Sequence, residues 1–172
     1  MVFISLQTPK GTKDNLPNEL RSYRAIERQL REAFQKWGYQ EVRTPTIEFV
    51  DMLATNLGYE LVKKMFKFQD ADGEIVALRP EMTTPIARII SSNFSKQIPI
   101  RFYYIDNVFR YSQSYSERGR EYWQAGIELI GCPNVEADGE VLALLIYSLK
   151  EVGLVEPRID IGQATLLKDL LE

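Results

Sequence analysis

Two long extended segments, separated by a short polar stretch, constrain the fold of this chain more than any other feature. Residues 100–111 and 121–131 are rich in β-branched and aromatic side chains, and the polar sequence SQSYSERGR separates them. Consecutive strands joined by a short loop usually pair with each other, so these segments predict a long antiparallel pair. Such a sheet must bury at least one face under other elements.

Helical patterns that could cover the sheet precede it in the chain. Apolar residues recur at helical spacing over residues 18–37, and Gly38 follows as a helix stop. Thr84 as an N-cap, with Pro85 in the first turn, predicts a helix that continues to about Asn93. These two helices are therefore expected to precede the strand pair.

The remaining patterns complete an α+β fold. Asn134 can cap a helix with acidic first turns, and four of its residues are predicted to be buried: Leu142, Leu145, Ile146 and Leu149. The other predicted elements are a strand over 39–45, a helix over 47–57, a hairpin over 64–78 with Asp72 and Gly73 at its turn, a strand over 158–162 and a helix over 164–172. This order predicts one α+β domain over residues 1–172, with helices against a mostly antiparallel sheet.

Composition excludes several classes of site. The chain has no histidine and a single cysteine, Cys132. The lack of histidine excludes histidine-dependent triads, histidine general bases and histidine-ligated metals, and one cysteine cannot form an intrachain disulfide. We therefore expect no metal and no cofactor. A net charge of −3 argues against binding of nucleic acid through bulk charge, although it leaves room for a local basic loop.

The sequence gives no sign of a membrane or secretory destination. Its first residues lack the basic and long apolar regions of a signal peptide, and the longest apolar run, residues 141–147, is too short to span a bilayer. With no disulfide framework, a reduced cytoplasmic location is the simplest interpretation.

The segment 121–131 presents two chemically different faces, because side chains alternate along a strand. One face is apolar and is predicted to lie in the core: Trp123, Ala125, Ile127 and Leu129. The other face carries Tyr122, Gln124, Gly126 and Glu128. A glycine between an amide and a carboxylate leaves room for a ligand to lie on the sheet, and the alternative is an ordinary solvated face.

A carboxylate and a threonine stand at the start of the helix predicted near Thr84. Glu81 and Thr83 follow an apolar strand-like run in the sequence ALRPEMTTP. A carboxylate at this place is favoured by the helix dipole by roughly 0.3–1 kcal/mol, and threonines are common capping residues. Each residue therefore has a structural interpretation beside a ligand-binding one.

Three arginines near the polar stretch are candidates for binding an anion. Arg110 ends the first long segment and is the better candidate. Arg118 and Arg120 lie in the polar stretch itself, where a solvated surface position is the default interpretation.

Several motifs occur in the order in which histidyl-tRNA synthetases carry them: GTKDNLP, GYQEVRTP, ALRPEMTTP, FYYIDNVFRY and REYWQAGIELIG. The chain therefore resembles this family, which includes a catalytically silent relative, the regulatory subunit of ATP phosphoribosyltransferase. The resemblance implies the class II synthetase fold, an antiparallel sheet flanked by helices. It also implies that residues 21–49 contain the first class II motif, through which the family forms symmetric dimers.

The resemblance also implies a site. In the family a histidine ligand is held by residues that match Glu81, Thr83, Gln124 and Glu128. The carboxylates and the threonine receive the α-ammonium and polar edges of the ligand, and the strand face forms the floor. Candidate nucleotide or anion contacts are Arg110, which matches an arginine at the ATP α-phosphate, Tyr122, which matches an adenine-stacking aromatic, and Arg118.

Departures from the synthetase pattern point to the regulatory relative. Ser112 replaces a glutamate that helps to place ATP, and Met82 stands where the synthetase usually has glycine. The third class II motif, the second histidine-binding stretch and an anticodon-binding domain are not found in the sequence. We therefore predict a non-catalytic regulatory subunit, a homodimer in a hetero-oligomer, with L-histidine and the short-form ATP phosphoribosyltransferase catalytic subunit as partners.

Two alternatives stay open at this point. The first is a fragment of an authentic histidyl-tRNA synthetase that activates histidine with ATP. The second is a free-standing histidine-binding or dimerising module that has lost both functions. Neither a tRNA nor a membrane is an expected partner of the regulatory subunit.

Overall fold

The computed structural model describes residues 6–94, 98–111 and 119–162. These ranges contain both helices and strands, and the predicted α+β class is confirmed. The elements are α1 (Pro17–Lys36), β1 (Gln40–Glu41), β2 (Ile47–Phe49), α2 (Val50–Ala54), α3 (Tyr59–Lys63), β3 (Lys67–Gln69), β4 (Ile75–Leu78), α4 (Thr83–Asn93), β5 (Ile100–Phe109), β6 (Glu121–Ile130) and α5 (Val135–Glu151).

The main sheet is built around the predicted strand pair. β5 and β6 run antiparallel, in register from Ile100 opposite Ile130 to Phe109 opposite Glu121. β1 adds a short parallel strand on the other edge of β5, so that the strand order is β1-β5-β6. The long antiparallel pair is thus confirmed, whereas only two residues of the strand predicted over 39–45 are paired.

Helices cover both faces of the main sheet. On one side, α1 and α5 enclose a core that contains Phe34, Tyr39, Tyr103 and Leu144. On the other side, α4 packs against β5 in a core of Met82, Ile86, Ile90, Ile100, Phe102, Tyr104 and Val108. Because successive residues of β5 point to opposite faces, this one strand contributes to both cores.

The face of β6 that was predicted to be apolar core is only half buried. Ile127 and Leu129 pack against the core beneath α1 and α5. Trp123 is 41% exposed and Ala125 is also exposed, so the prediction is wrong for these two residues. Here the covering helix offers a charged side chain instead, since the guanidinium of Arg24 lies 4.8 Å from the ring centroid of Trp123.

A smaller sheet has the order β2-β4-β3 and contains the predicted hairpin. β3 and β4 are antiparallel, and Gly73 at their turn has φ 89°, a conformation that glycine adopts without steric cost. The helix predicted over 47–57 is wrong at its start, because residues 47–49 form β2. Ile47 lies opposite Leu78 of β4, and the helix begins only at Val50.

Helix α5 begins as predicted but turns a different face to the core. The Asn134 side chain accepts a hydrogen bond from the backbone N–H of Ala137 at 2.9 Å, which confirms the predicted cap. The buried residues of α5 are Ala137, Leu144 and Ser148. The four predicted core residues are not among them: Leu145 is exposed, and Leu142, Ile146 and Leu149 are half-buried. The position of Leu144 in the core with Tyr103 fixes this rotation of the helix.

The carboxy-terminal predictions have mixed outcomes. Residues 158–162 were predicted to be a strand, but in the part of the chain that the structure describes they pair with no other strand. An extended segment needs such a partner for its backbone groups to become a strand. The helix predicted over 164–172 lies outside the described residues. Among the helices that are described, none is long and apolar enough to cross a membrane.

A buried arginine joins the two sheets. Arg79 follows β4 directly and is 1% exposed. Its guanidinium lies 2.6 Å from a carboxylate oxygen of Asp106 on β5, and it donates to the backbone oxygens of Thr44 at 2.7 Å and Asn107 at 2.9 Å. Burial opposes ionisation of Asp106, but hydrogen bonds from Asn107, Arg43 and Arg79 outweigh it and lower the pKa of Asp106. The guanidinium is thus fully paired, as a buried charge requires.

Candidate functional site

The start of α4 and the middle of β6 meet through one hydrogen bond. Thr83 is the first residue of α4, and its hydroxyl donates to Glu128 Oε1 at 2.8 Å. These residues are separated by 45 positions in the chain, so the contact depends on the packing of α4 across the main sheet. Two of the residues singled out in the sequence therefore lie in direct contact.

Glu81 holds the amino terminus of α4. One carboxylate oxygen accepts from the backbone N–H of Thr83 at 2.7 Å and the other from that of Thr84 at 3.0 Å. The predicted N-cap role of Thr84 is wrong, because Met82 occupies the N-cap position and the carboxylate of Glu81 satisfies the free N–H groups. Each carboxylate oxygen can accept more than one hydrogen bond, so capping does not exhaust Glu81.

Glu81, Thr83 and Glu128 form what we call the acidic cluster, and its two carboxylates repel each other in the absence of a cation. Burial raises the pKa of Glu128, the negative charge of Glu81 raises it further, and the bond from Thr83 opposes both. A positively charged group between Glu81 and Glu128 would relieve this repulsion. The cluster is therefore suited to a ligand that carries an ammonium group or several N–H donors.

The floor of the cluster differs from the expectation of open space above Gly126. Tyr104 lies opposite Gly126 in the β5–β6 register, and a Cβ built on Gly126 would lie only 2.4 Å from the Tyr104 hydroxyl oxygen. The glycine therefore gives room to the tyrosine ring. Gln124, two residues before Gly126, donates from Nε2 to the same hydroxyl at 3.0 Å.

Sequence reasoning did not single out Tyr104. The register of the strand pair contains the signal, because residue 104 can face residue 126 only if the turn places Phe109 opposite Glu121. A glycine opposite an aromatic residue then indicates a close approach. Burial, followed by the charges of Glu128 and Glu81, raises the pKa of Tyr104 to about 12.

Arg110 and Tyr122, two of the three candidate nucleotide or anion contacts, lie beside the cluster. Arg110 donates from Nε to the backbone oxygen of Pro80 at 2.7 Å, and its guanidinium carbon lies 5.5 Å from the ring centroid of Tyr122. Pro80 immediately precedes Glu81, so this guanidinium adjoins the acidic residues. Arg118, the third candidate, and Ser112 lie outside the described residues.

The arrangement can therefore recognise a small polar ligand through acceptors on one side and a guanidinium on the other. Glu81, Thr83, Gln124 and Glu128, the four residues predicted to hold a ligand, are brought together by α4 and β6. Within the described ranges, no group of three or more His, Cys, Asp and Glu side chains could hold a metal ion.

Known sequences that are similar to this chain come from one family and its relatives. The sequence model of the histidyl-tRNA synthetase family matches residues 11–172. The histidine–tRNA ligase of Thermococcus kodakarensis is 44% identical over 165 residues, which are 95% of this chain and 38% of that protein. The ATP phosphoribosyltransferase regulatory subunit of Ruminiclostridium cellulolyticum is 42% identical over 168 residues, 97% of this chain and 40% of its own length. The chain thus spans about two fifths of these relatives.

Solved structures agree. An ATP phosphoribosyltransferase regulatory subunit/histidyl-tRNA synthetase from Bacillus halodurans superposes with a TM-score of 0.81 at 36% identity, over 91% of this chain and 40% of that one. The apo histidyl-tRNA synthetase of S. aureus superposes with a TM-score of 0.73 at 32% identity, over 88% of this chain and 36% of that one.

Proposed function

Because this chain belongs to the histidyl-tRNA synthetase family, we propose that it is a histidine-binding regulatory subunit of ATP phosphoribosyltransferase that does no chemistry itself. The family and the class II synthetase fold were both implied by the motifs, and both are confirmed. The regulatory function, its ligand and its partner are inferred from the site and from the relatives.

One observation carries the proposal: the Thr83–Glu128 hydrogen bond at 2.8 Å, beside the carboxylate of Glu81 at the start of α4. It places acceptors from two distant parts of the chain around one point. Histidine offers an α-ammonium and two ring nitrogens, and each needs a partner when it leaves water. The acidic cluster supplies such partners, and the ammonium would relieve the repulsion between the two carboxylates.

Met82 favours the regulatory subunit over the enzyme. Met82 lies between Glu81 and Thr83 in the sequence. It is fully buried and belongs to the core beneath α4 that contains Ile86 and Phe102. The synthetase usually has glycine at this position, whereas the regulatory subunit resembles this chain. We infer that a cytoplasmic catalytic subunit of the short form binds this protein, and that histidine shifts its activity by a coupling of about 1–3 kcal/mol.

A fragment of a catalytically active histidyl-tRNA synthetase is the second candidate. Arg110 beside Tyr122 favours it, since these residues match the arginine and the aromatic residue that meet ATP in the synthetase. The histidine–tRNA ligases among the relatives are as similar to this chain as the regulatory subunits are. The two candidates differ in whether histidine is converted to an adenylate.

The first prediction concerns this difference. We expect calorimetric titration to detect binding of L-histidine, and we expect histidine-dependent exchange of pyrophosphate into ATP to stay at background. The physical reason is that Ser112 has no carboxylate with which to position ATP. Exchange clearly above background would favour the synthetase. Co-purification of the short-form catalytic subunit from a mixture of the two purified proteins would separate a regulatory subunit from a free-standing module.

A second prediction concerns assembly. We propose a symmetric homodimer through residues 21–49, extended by one face of the smaller sheet. Ile47, Phe49 and Phe68 lie on this face with Val76 between them, and Phe49 is 54% exposed. Exposed aromatic residues on a sheet face often mark an interface. Phe49→Asp is expected to shift the sedimentation coefficient from that of a dimer to that of a monomer.

A matched control is available outside this segment. Val155 is 86% exposed and lies after α5, so Val155→Asp should leave the sedimentation coefficient unchanged. A wild-type protein that sediments as a monomer at high micromolar concentration would contradict the dimer.

A further inference from the structure

The two ends of the Gln124 side-chain amide have different environments. Nε2 donates to the Tyr104 hydroxyl at 3.0 Å. Oε1 is buried and has no hydrogen-bond partner among the residues that the structure describes. Buried carbonyl oxygens are almost always paired, so an acceptor left in this state can receive a further donor, such as one from a bound ligand. Gln124 lies on the face of β6 that also carries Glu128, and the Tyr104 hydroxyl that it contacts is close enough to Glu128 and Glu81 for their charges to raise its pKa.

Tyr104 is fixed firmly enough to orient this amide. It is 4% exposed, and its ring fits above the main chain at Gly126, where any larger residue would collide with it. With its pKa raised to about 12, the phenol keeps its proton at physiological pH. The hydroxyl therefore stays neutral throughout the range in which a ligand would bind, and its oxygen accepts the hydrogen bond from the Gln124 N–H.

We propose that Tyr104 is a positioning residue for the ligand: by holding Nε2 of Gln124, it turns Oε1 of Gln124 into the cluster as a hydrogen-bond acceptor. The group that this oxygen receives is an N–H donor of the ligand, either its ammonium or a protonated ring nitrogen. The inference rests on the proposed histidine-binding function. It means that Gln124 presents only its Oε1 to the ligand, whereas a freely rotating amide could present either Oε1 or Nε2.

The test is a double-mutant cycle in calorimetric titrations with L-histidine. Tyr104→Phe keeps the ring above Gly126 and removes only the hydroxyl, so affinity should fall about 3- to 10-fold, the range of one neutral hydrogen bond. Gln124→Met should weaken binding at least as much. The double variant should bind no worse than Gln124→Met alone, because Tyr104 acts through Gln124. Full additivity of the two losses, or unchanged affinity in Tyr104→Phe, would overturn the proposal.

Tyr103 provides a matched control on the same strand. Its hydroxyl lies on the opposite face of β5, where Gln35 donates to it at 3.0 Å. Tyr103→Phe should therefore leave histidine affinity unchanged, although it removes a phenol hydroxyl from an equally buried ring. Thermal melts of all variants show whether each retains the fold.

A second readout needs no ligand. In ¹⁵N-resolved spectra, the side-chain amide protons of Gln124 should shift and exchange faster with water in Tyr104→Phe than in the wild type, and should not change in Tyr103→Phe. Identical Gln124 signals in wild type and Tyr104→Phe would overturn the positioning role, whatever histidine does. Failure of wild-type protein to bind histidine, with the Gln124 signals altered as expected, would instead contradict the proposed function.

Discussion

Replacement of Arg79 by alanine is expected to lower the free energy of unfolding by about 3–5 kcal/mol, because it removes one partner of a buried ion pair. Asp106 would keep its place in the main sheet without its closest guanidinium, which lies 2.6 Å away. The backbone oxygens of Thr44 and Asn107 would lose their donors as well. Urea denaturation followed by circular dichroism measures the loss. Arg79→Lys keeps the charge but not the fork of donors, and should fall between wild type and alanine.

Arg43 is the matched control, since it also pairs with Asp106, at 3.1 Å, but from an 83% exposed side chain. Arg43→Ala should cost about 0–1 kcal/mol, as is usual for a surface pair. The pH dependence gives a further check. Because the folded pKa of Asp106 is lowered, its contribution to stability is present above about pH 4 and disappears as the pH falls through the lowered value. A wild-type advantage over Arg79→Ala that is unchanged at pH 2 would contradict this account.

The second large effect is expected at Glu128. Glu128→Gln keeps the shape of the side chain but removes a charge-assisted bond worth about 1.5–3 kcal/mol, so affinity for histidine should fall roughly 10- to 150-fold. Glu81→Gln should have an effect of the same order on binding. Calorimetric titration of histidine into wild type and both variants measures it. Equal affinity in all three proteins would contradict the assignment of the site.

Stability separates the roles of these two carboxylates. The raised pKa of Glu128 means that folding disfavours its ionised form, so its contribution to stability falls as the pH rises above the ordinary pKa of a glutamate. Glu128→Gln should therefore not lower the free energy of unfolding at pH 7, even though it weakens binding. Glu81→Gln should lower it, because both oxygens of Glu81 accept backbone N–H groups of α4. Thr83→Val should weaken binding by only about fivefold, the effect of one neutral hydrogen bond.

The elements that could be predicted from the sequence are those whose signal is local and repeated. The periodicity of α1 extends over its whole length, and the Asn134 cap needs only the residues next to it. β2 could not be predicted in this way, because its three residues become a strand only by pairing with β4, which comes much later in the chain. The buried face of α5 was predicted wrongly for the same reason, since it depends on where Leu144 contacts Tyr103.

The candidate site shows a similar division. The motifs pointed to Glu81, Thr83, Gln124 and Glu128, and the structure places them together. Tyr104 could not be identified from the sequence alone, because its role depends on Gly126, which lies opposite it on the neighbouring strand. The sequence allows both a capping role and a ligand-binding role for Glu81. The structure shows the capping bonds, and the carboxylate oxygens can accept further hydrogen bonds from a ligand.

The acidic cluster is also a seam between the two sheets. Glu81 follows β4 of the smaller sheet after only Arg79 and Pro80, whereas Glu128 belongs to β6 of the main sheet. A molecule bound to both carboxylates would therefore bridge the two sheets. It would do so in addition to the ion pair between Arg79 and Asp106, which links the sheets whether or not a ligand is bound. Loss of the Arg79–Asp106 ion pair should therefore weaken ligand binding. The reason is that Arg79 and Glu81 lie on the same short stretch of backbone, which sets the distance between Glu81 and Glu128.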